Sequence, residues 1–235
     1  MNVKICGMTS LEMTRDVIAY NPDHIGFVFA KSRRQVSPDA VQWILNQLQE
    51  EQVRIPHTVG VFAHVDTELL KPVIQSCTVQ ALQFHANDQL DKCRWVKENS
   101  NMNVWLTLPI SNVDRIDFED ELNHQFERLS TAAPYIDLLL LDTHDPVQGG
   151  GSGKVFQWDV IPYYQSRAKQ IGVPLYVAGG LNPDNINSLL SRYELDGVDV
   201  SSGVETDGSK DMSKVDTFIG RVRQHVRTRR SLPLS

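Results

Sequence analysis

Four side chains that can carry protons lie at or near the ends of short apolar stretches of the sequence: the thiol of Cys6, the imidazole of His85, and the carboxyls of Asp142 and Asp199. Groups of these types act as general acids and bases when they surround one small substrate. Taken singly, each has an ordinary explanation, since a lone cysteine in an apolar stretch usually packs as a small hydrophobe. Proton-transfer chemistry is therefore indicated only if the fold brings these side chains together.

Three glycine-rich segments stand in the second half of the chain, at residues 149–154, 178–183 and 201–205. Glycine lets backbone N–H groups approach an anion closely, and a following helix N-terminus adds a favourable dipole. These segments predict a phosphate site, with ordinary turns as the alternative. The first is not a Walker A motif, because Gln148 and Val155 stand where that motif requires glycine and serine or threonine. The candidate phosphate-binding residues are Gly151, Ser152, Gly153, Gly179, Gly180, Ser202 and Gly203.

The elements that must position these residues alternate regularly along the chain. Short apolar segments rich in branched and aromatic residues are typical of strands buried on both faces. Helix-start signals lie between several of them, such as Ser37 before Pro38 and Asn182 before Pro183. The eight predicted strands cover residues 2–6, 24–29, 58–65, 81–85, 103–110, 135–142, 173–180 and 197–203.

This alternation predicts an α/β fold, for which a single-domain (β/α)8 TIM barrel is the most economical form at this length. An open doubly wound sheet is the alternative. We expect the barrel to occupy residues 1–226 and the basic tail, residues 227–235, to be frayed. In a barrel, the reactive residues would meet at the carboxyl ends of the strands. Alternation along the first strand puts Cys6 on the same face as Lys4, whose buried ammonium would need a carboxylate partner and would have a structural role.

The composition narrows the class of protein. The 235 residues carry a net charge of −6, and this mild acidity argues against nucleic-acid or polybasic membrane binding. No apolar run approaches the roughly 18 residues of a membrane span, and the start lacks a signal-peptide core. The 3 cysteines form no CxxC pair and the 7 histidines no HxxxH pair, so neither a disulfide framework nor a metal site has support. We expect a cytoplasmic protein.

Together the motifs of this chain resemble the phosphoribosylanthranilate isomerase family of tryptophan biosynthesis. The similarity runs in order from residue 4 to about residue 218, and the joint pattern is far more specific than any single piece. The matching motifs are KICG (4–7), GFVF (26–29), S-x-R-x-V-S-P (32–38), VGVF (59–62), Q-x-H (83–85), LLLDT (139–143), GGSGK-x-F-x-W (150–158), AGGLNP-x-N (178–185) and VDVSSGVE (198–205).

The resemblance implies an Amadori rearrangement of N-(5-phosphoribosyl)anthranilate on a TIM barrel that uses no metal or organic cofactor. It assigns Cys6 as the general base, Asp142 as the general acid, and His85 and Asp199 as substrate-binding residues. It also implies that Arg34 holds the carboxylate of the anthranilate, although the adjacent Arg33 is an alternative. The expected partner is this small-molecule substrate, and the expected state is a monomer or a homodimer.

Two departures from the family pattern concern the fit of the substrate. Ala86 replaces the usual glycine after His85, and Gln35 replaces a frequent aromatic residue. Two other functions remain open: another sugar-phosphate aminoaldose isomerase on the same barrel, and a non-catalytic phosphate-binding barrel. The first resembles a two-aspartate arrangement, against which Cys6 argues, and the intact pair of Cys6 and Asp142 argues against the second.

Overall fold

The structure is a computed structural model of the chain. It describes residues 1–63, 67–76, 79–85, 90–110, 118–143 and 156–230. Ala86 and the glycine-rich segment at residues 149–154 lie outside these ranges.

Eight parallel strands form a closed barrel in chain order, which confirms the TIM barrel and excludes the open sheet. The closing pair is formed by the first and last of these strands, with Lys4 opposite Asp199. The strands are β1 (Asn2–Cys6), β2 (His24–Val28), β3 (His57–Phe62), β4 (Ala81–His85), β5 (Asn103–Ile110), β6 (Leu138–Thr143), β7 (Leu175–Val177) and β8 (Gly197–Val200).

Helices surround the barrel, and two of them begin where the sequence predicts. The Ser37 side chain accepts a hydrogen bond from the N–H of Ala40, and Asn182 forms a reciprocal capping box with Asn185. Among the helices of the described ranges, none is both long and apolar enough to cross a bilayer. The helices are α1 (Leu11–Ile18), α2 (Pro38–Glu50), α3 (Thr67–Ser76), α4 (Leu90–Asn99), α5 (Phe118–Ala132), α6 (Ile161–Ile171), α7 (Pro183–Arg192) and α8 (Met212–Arg230).

Several predicted boundaries differ from the structure. Strand β6 begins at Leu138 rather than at residue 135, because a short 3-10 helix that contains a proline, Ala133–Tyr135, precedes it. Strand β7 ends at Val177, before Gly179 and Gly180 turn the chain with positive φ angles. Helix α8 continues to Arg230, so the first part of the predicted tail, residues 227–230, is helical.

The loop after β8 contains a small additional element. A 3-10 helix, Ser202–Val204, leads into a two-stranded antiparallel hairpin formed by β9 (Glu205–Thr206) and β10 (Ser209–Lys210). Glu205 and Lys210 lie opposite each other in this hairpin.

Alternation along the strands divides the apolar core into two clusters. Outward residues such as Val3 and Ile5 pack under the helices, whereas Cys6 and Leu140 line the barrel interior. Aromatic rings fill the interior near the amino ends of the strands, a region we call the floor. It consists of Asn2, His24, Trp105 and Tyr176.

Candidate active site

The carboxyl ends of the strands form the mouth of the barrel, which we define by Cys6, His85, Asp142 and Asp199. Each of these side chains stands on the inward face of a different strand, as alternation along the strands predicted. The carboxyl of Asp199 acts electrostatically on both Cys6 and Asp142. The closed barrel therefore brings a thiol and carboxyls into one electrostatic environment.

A buried ammonium supports the mouth from below. Lys4 Nζ donates to Asp199 Oδ2 at 2.6 Å and to Gln83 Oε1 at 2.9 Å. The amide of Gln83 in turn donates to Thr107 Oγ1 at 3.0 Å. Burial acts to lower the pKa of Lys4, but the charges of Asp199 and Cys6 outweigh it and raise the pKa. Lys4 thus has the carboxylate partner that its position requires.

One oxygen of Asp199 is left for another partner. The residue is only 6% exposed, and its Oδ1 atom is buried without a hydrogen-bond partner among the described residues. A buried carboxylate oxygen that lacks a partner costs free energy. This atom is placed to accept a hydrogen bond from a bound molecule.

Cys6 ends β1 in an enclosed position. A side chain at Gly26 on the neighbouring strand would place its Cβ 2.7 Å from the Cys6 sulfur, so glycine there leaves room for the thiol. Burial raises the pKa of Cys6, while the ammonium groups of Lys4 and Lys210 oppose the increase. These two lysines stabilise the thiolate in part, but burial outweighs them and leaves the pKa of Cys6 above its usual value.

Burial governs the acidity of Asp142, near the end of β6. Burial, reinforced by the charge of Asp199, raises the pKa of Asp142 to about 7, against a backbone hydrogen bond at Thr143 and the charge of Lys4. A carboxyl of this kind can donate a proton near neutrality. The residue as a whole is half-buried.

Arg34 lies against Gly7 and is bound by a partner that the sequence did not reveal. Its Nε and one Nη donate to the two carboxylate oxygens of Glu205, each at 2.8 Å. Its stem crosses Gly7, where a Cβ would lie 2.5 Å from Arg34 Cδ. The side chain of Arg33 is 58% exposed, against 13% for Arg34. The motif VDVSSGVE contains Glu205, but only the folded chain shows this pairing.

Two of the predicted phosphate-binding segments meet at the mouth. Gly179 and Gly180 follow β7 with φ angles of +81° and +62°, and Ser202 and Gly203 form the 3-10 helix after β8. A side chain at Gly203 would collide with the carbonyl of Leu181, so the two loops are in close contact. The third predicted set, Gly151, Ser152 and Gly153, lies outside the described residues.

His85 and Gln35 complete the site as the sequence described it. His85 is half-buried at the end of β4, in register with Thr107 of β5. Gln35 is exposed, and its amide donates to the carbonyl of Phe29 at 3.1 Å. The polar side chain of Gln35, which stands in place of the usual aromatic residue, thus links its loop by a hydrogen bond to the residue that follows β2.

Comparison with known proteins shows the family of the chain. The family model for N-(5'-phosphoribosyl)anthranilate isomerase matches residues 3–221. The protein of that name from Desulforudis audaxviator is 35% identical over 223 residues, covering 94% of this chain and 98% of the relative. The crystal structure of the phosphoribosylanthranilate isomerase from Thermotoga maritima has a TM-score of 0.74 and 32% identity, and the match covers 95% and 99% of the two chains.

A further crystal structure of such an isomerase contains reduced 1-(o-carboxyphenylamino)-1-deoxyribulose 5-phosphate. It has a TM-score of 0.71 and 30% identity, with 95% of this chain and 99% of the other covered. With a family model that spans nearly all of the barrel, the chain belongs to the N-(5'-phosphoribosyl)anthranilate isomerase family.

Proposed function

We propose that the mouth of this barrel carries out the rearrangement of N-(5-phosphoribosyl)anthranilate to 1-(2-carboxyphenylamino)-1-deoxyribulose 5-phosphate, a step of tryptophan biosynthesis, with Asp142 as acid and Cys6 as base. The observation that carries these roles is the raised pKa of Asp142, about 7, in a mouth that it shares with Cys6. A protonated carboxyl and a thiolate are the two groups that the chemistry requires.

The first step opens the ribose ring. Asp142 donates its proton to the ring oxygen while the C1′–O bond breaks, and the nitrogen lone pair forms a Schiff base with C1′. The Cys6 thiolate then removes the proton from C2′, which gives an enolamine. The enolamine gains a proton at C1′ and loses the proton of the 2′-hydroxyl, which leaves the ketose. The product has the same atoms as the substrate, so no external oxidant or reductant is needed.

The other site residues hold the substrate in this proposal. Asp199 Oδ1, which lacks a partner among the described residues, accepts a hydrogen bond from a ribose hydroxyl. His85 borders the sugar from β4. The loops at Gly179–Gly180 and Ser202–Gly203 hold the phosphate through backbone N–H groups, since glycine lets those groups approach an anion closely and Gly179 and Gly180 turn the chain with positive φ angles.

The guanidinium of Arg34 binds the carboxylate of the anthranilate ring. Two of its N–H groups already contact Glu205, and the others, for which the described residues show no partner, would form a second charge-assisted pair. Because Arg34 lies against Gly7, the residue after Cys6, this contact would bring the aromatic ring of the substrate close to the reacting sugar.

The direct test is turnover of phosphoribosylanthranilate, followed through the change in anthranilate fluorescence, by the natural chain and by Cys6→Ala. We expect saturable turnover by the natural chain and a loss of about 10²- to 10⁴-fold in Cys6→Ala, the range for removing a general base. Cys93→Ala is the matched control, because Cys93 is also a buried free thiol but lies on helix α4. It should retain activity.

Two outcomes would contradict the proposal at different levels. If the natural chain consumes no phosphoribosylanthranilate, the function itself is wrong. If Cys6→Ala turns over at the natural rate, another group removes the C2′ proton and the role of Cys6 is wrong.

A further inference from the structure

We propose that Glu205 is a specificity-determining positioning residue, which orients Arg34 so that the guanidinium edge facing away from Glu205 receives the carboxylate of the substrate's aromatic ring. This inference rests on the proposed function and concerns a residue to which the motifs assign no role. Four observations carry it: the hairpin that presents Glu205, the two-point contact with Arg34, the buried lysine behind it, and the local balance of charge.

The hairpin fixes the backbone at Glu205. Strands β9 and β10 are joined by Asp207 and Gly208, whose φ angles of +51° and +82° are those of a tight two-residue turn. Thr206 Oγ1 donates to the carboxylate of Asp211 at 2.7 Å, which anchors the hairpin to the start of α8. Lys214 Nζ donates to the carbonyl of Glu205 at 2.8 Å. The residue is thus held by contacts on both sides of the hairpin.

The contact with Arg34 fixes the plane of the guanidinium. Both oxygens of Glu205 are used, each at 2.8 Å from a different nitrogen, and this fork allows only one orientation. A guanidinium has five N–H donors in one plane. The contact with Glu205 takes two of them along one edge, so the donors that remain point away from Glu205.

A buried lysine prevents Glu205 from turning away. Lys210 Nζ donates to Glu205 Oε1 at 2.7 Å and to the carbonyl of Ser201 at 2.9 Å. The side chains of Glu205 and Lys210 are only 5% and 1% exposed, so water does not replace these contacts easily. Burial acts to raise the pKa of Glu205, but hydrogen bonds from Arg34 and Lys210 outweigh it and lower the pKa, which keeps the carboxylate ionised.

The balance of charge leaves this corner of the mouth positive. Arg33, Arg34 and Lys210 all contact the carboxylate of Glu205, so three cations share one anion. Arg33 reaches Glu205 from solvent, whereas Arg34 lies against Gly7 at the mouth. The surplus charge favours a second anion at the edge of Arg34 that faces the site, and the carboxylate of the substrate supplies it.

The test compares two substrates that differ by this carboxylate alone: the adduct of ribose 5-phosphate with anthranilate and the adduct with aniline. The measured quantity is the preference, the ratio of the kcat/KM values for the two adducts. We expect Glu205→Gln to lower the preference about tenfold, through a higher KM for the anthranilate adduct, the size expected for weakening one charge-assisted pair. The kcat/KM for the aniline adduct should stay within about twofold of the natural value.

Two variants control for a merely structural effect. Arg33→Ala removes one cation and a contact to the same carboxylate from the exposed side but leaves the fork between Glu205 and Arg34, so it should lower the preference less than Glu205→Gln does. Glu205→Asp keeps the charge but is one methylene shorter, so it should restore part of the preference. If Glu205→Gln shows no folded state in a thermal melt, Glu205→Asp is the deciding variant. A preference in Glu205→Asp equal to that of the natural chain then overturns the proposal.

Other outcomes distinguish an error in the role of Glu205 from an error in the proposed function. The proposal is overturned if Glu205→Gln folds and keeps the natural preference, or if it loses activity equally on both adducts. If the natural chain does not turn over the anthranilate adduct at all, the proposed function has failed instead, and the role of Glu205 fails with it.

Discussion

At the mouth of the barrel, Lys4 and Asp199 form a buried ion pair at 2.6 Å, whereas at the floor His24 stays neutral between aromatic rings. The ring of His24 lies 4.9 Å from that of Trp105 and 5.9 Å from that of Tyr176, both edge to face. Burial, helped by the charge of Lys4, lowers the pKa of His24 to about 4. The same barrel interior thus holds ionised groups at one end and a neutral imidazole at the other.

The difference indicates that the floor contributes more to the stability of the fold than the mouth does. At the floor, Asn2 Nδ2 donates to the Tyr176 hydroxyl at 2.7 Å, and Gly197 leaves space for the Tyr176 ring. These aromatic contacts stabilise the fold directly. At the mouth, a buried ion pair contributes little net stability, and the raised pKa of Asp142 means that ionising it costs the folded state free energy. We attribute this cost to catalysis, in line with the proposed function.

The largest effect is expected from Asp142→Asn, which changes the mouth alone. Removal of the acidic proton should lower kcat by about 10²- to 10⁴-fold. The free energy of unfolding at pH 7.5 should rise, because the folded state no longer holds a carboxylate whose pKa is raised. Steady-state kinetics and urea unfolding measure the two quantities.

A matched variant makes this prediction specific. Asp137→Asn removes a half-buried carboxylate that pairs with Lys97 just before β6, away from the mouth, so kcat should be near the natural value. An Asp142→Asn enzyme with the natural kcat would contradict the role of Asp142 as the acid. A lower free energy of unfolding in this variant would show that Asp142 stabilises the fold, as the floor residues do.

The second prediction concerns the pH dependence of kcat/KM in Asp142→Asn relative to the natural chain. The active form needs Asp142 protonated and Cys6 deprotonated, and the pKa of Cys6 lies above that of Asp142. Above about pH 7, loss of the proton from Asp142 therefore cancels the gain of thiolate, and the natural rate levels off. Without Asp142, the residual rate continues to rise with the thiolate.

The ratio of variant to natural kcat/KM should accordingly be constant below about pH 7 and rise about tenfold per pH unit above it. Ionisation of the substrate phosphate affects both enzymes alike and cancels in the ratio. A ratio that stays flat up to pH 9 would show that Asp142 does not supply the proton.

The smallest effect is expected at the floor, from His24→Phe. The pKa of His24 is about 4 in the folded state and about 6.5 when unfolded, so protons favour the unfolded chain. The stabilisation is complete above pH 6.5 and is lost as the pH falls towards 4. Between pH 7.5 and pH 5, the natural chain should lose about 2 kcal/mol more unfolding free energy than His24→Phe.

Urea unfolding at the two pH values measures this difference. His124→Gln on helix α5 is the control, because His124 is exposed and should leave the natural pH dependence unchanged. Turnover by His24→Phe should be near the natural value. If the unfolding free energies of His24→Phe and of the natural chain depend equally on pH, the contrast between a neutral imidazole at the floor and ionised groups at the mouth is wrong.

The sequence predicts those features of the site that depend on local patterns. Alternation along β1 was sufficient to place Cys6 and Lys4 on one face, and the need of a buried ammonium for an anion predicted a carboxylate partner for Lys4. Which carboxylate it is depends on the register of the closing strand pair, where Lys4 lies opposite Asp199. That register is a property of the whole barrel.

The contact between Arg34 and Glu205 was not predicted, because it is a long-range contact. Arg34 and Glu205 are far apart in the chain, and the hairpin that joins them is only two residues long on each side, too short for a pattern of alternation. The start of β6 was misplaced for a local reason, since Tyr135 and Ile136 are residue types typical of a strand although Pro134 stands inside a 3-10 helix.

The ion cluster around Glu205 also bears on how the barrel is closed. Strand β1 lies between β2 and β8, and the contact of Arg34 with Glu205 joins the loop that follows β2 to the loop that follows β8, directly above β1. The cluster therefore links two loops across the seam at which β1 and β8 close the barrel, so in the proposed site the orientation of Arg34 depends on the closure of the whole barrel.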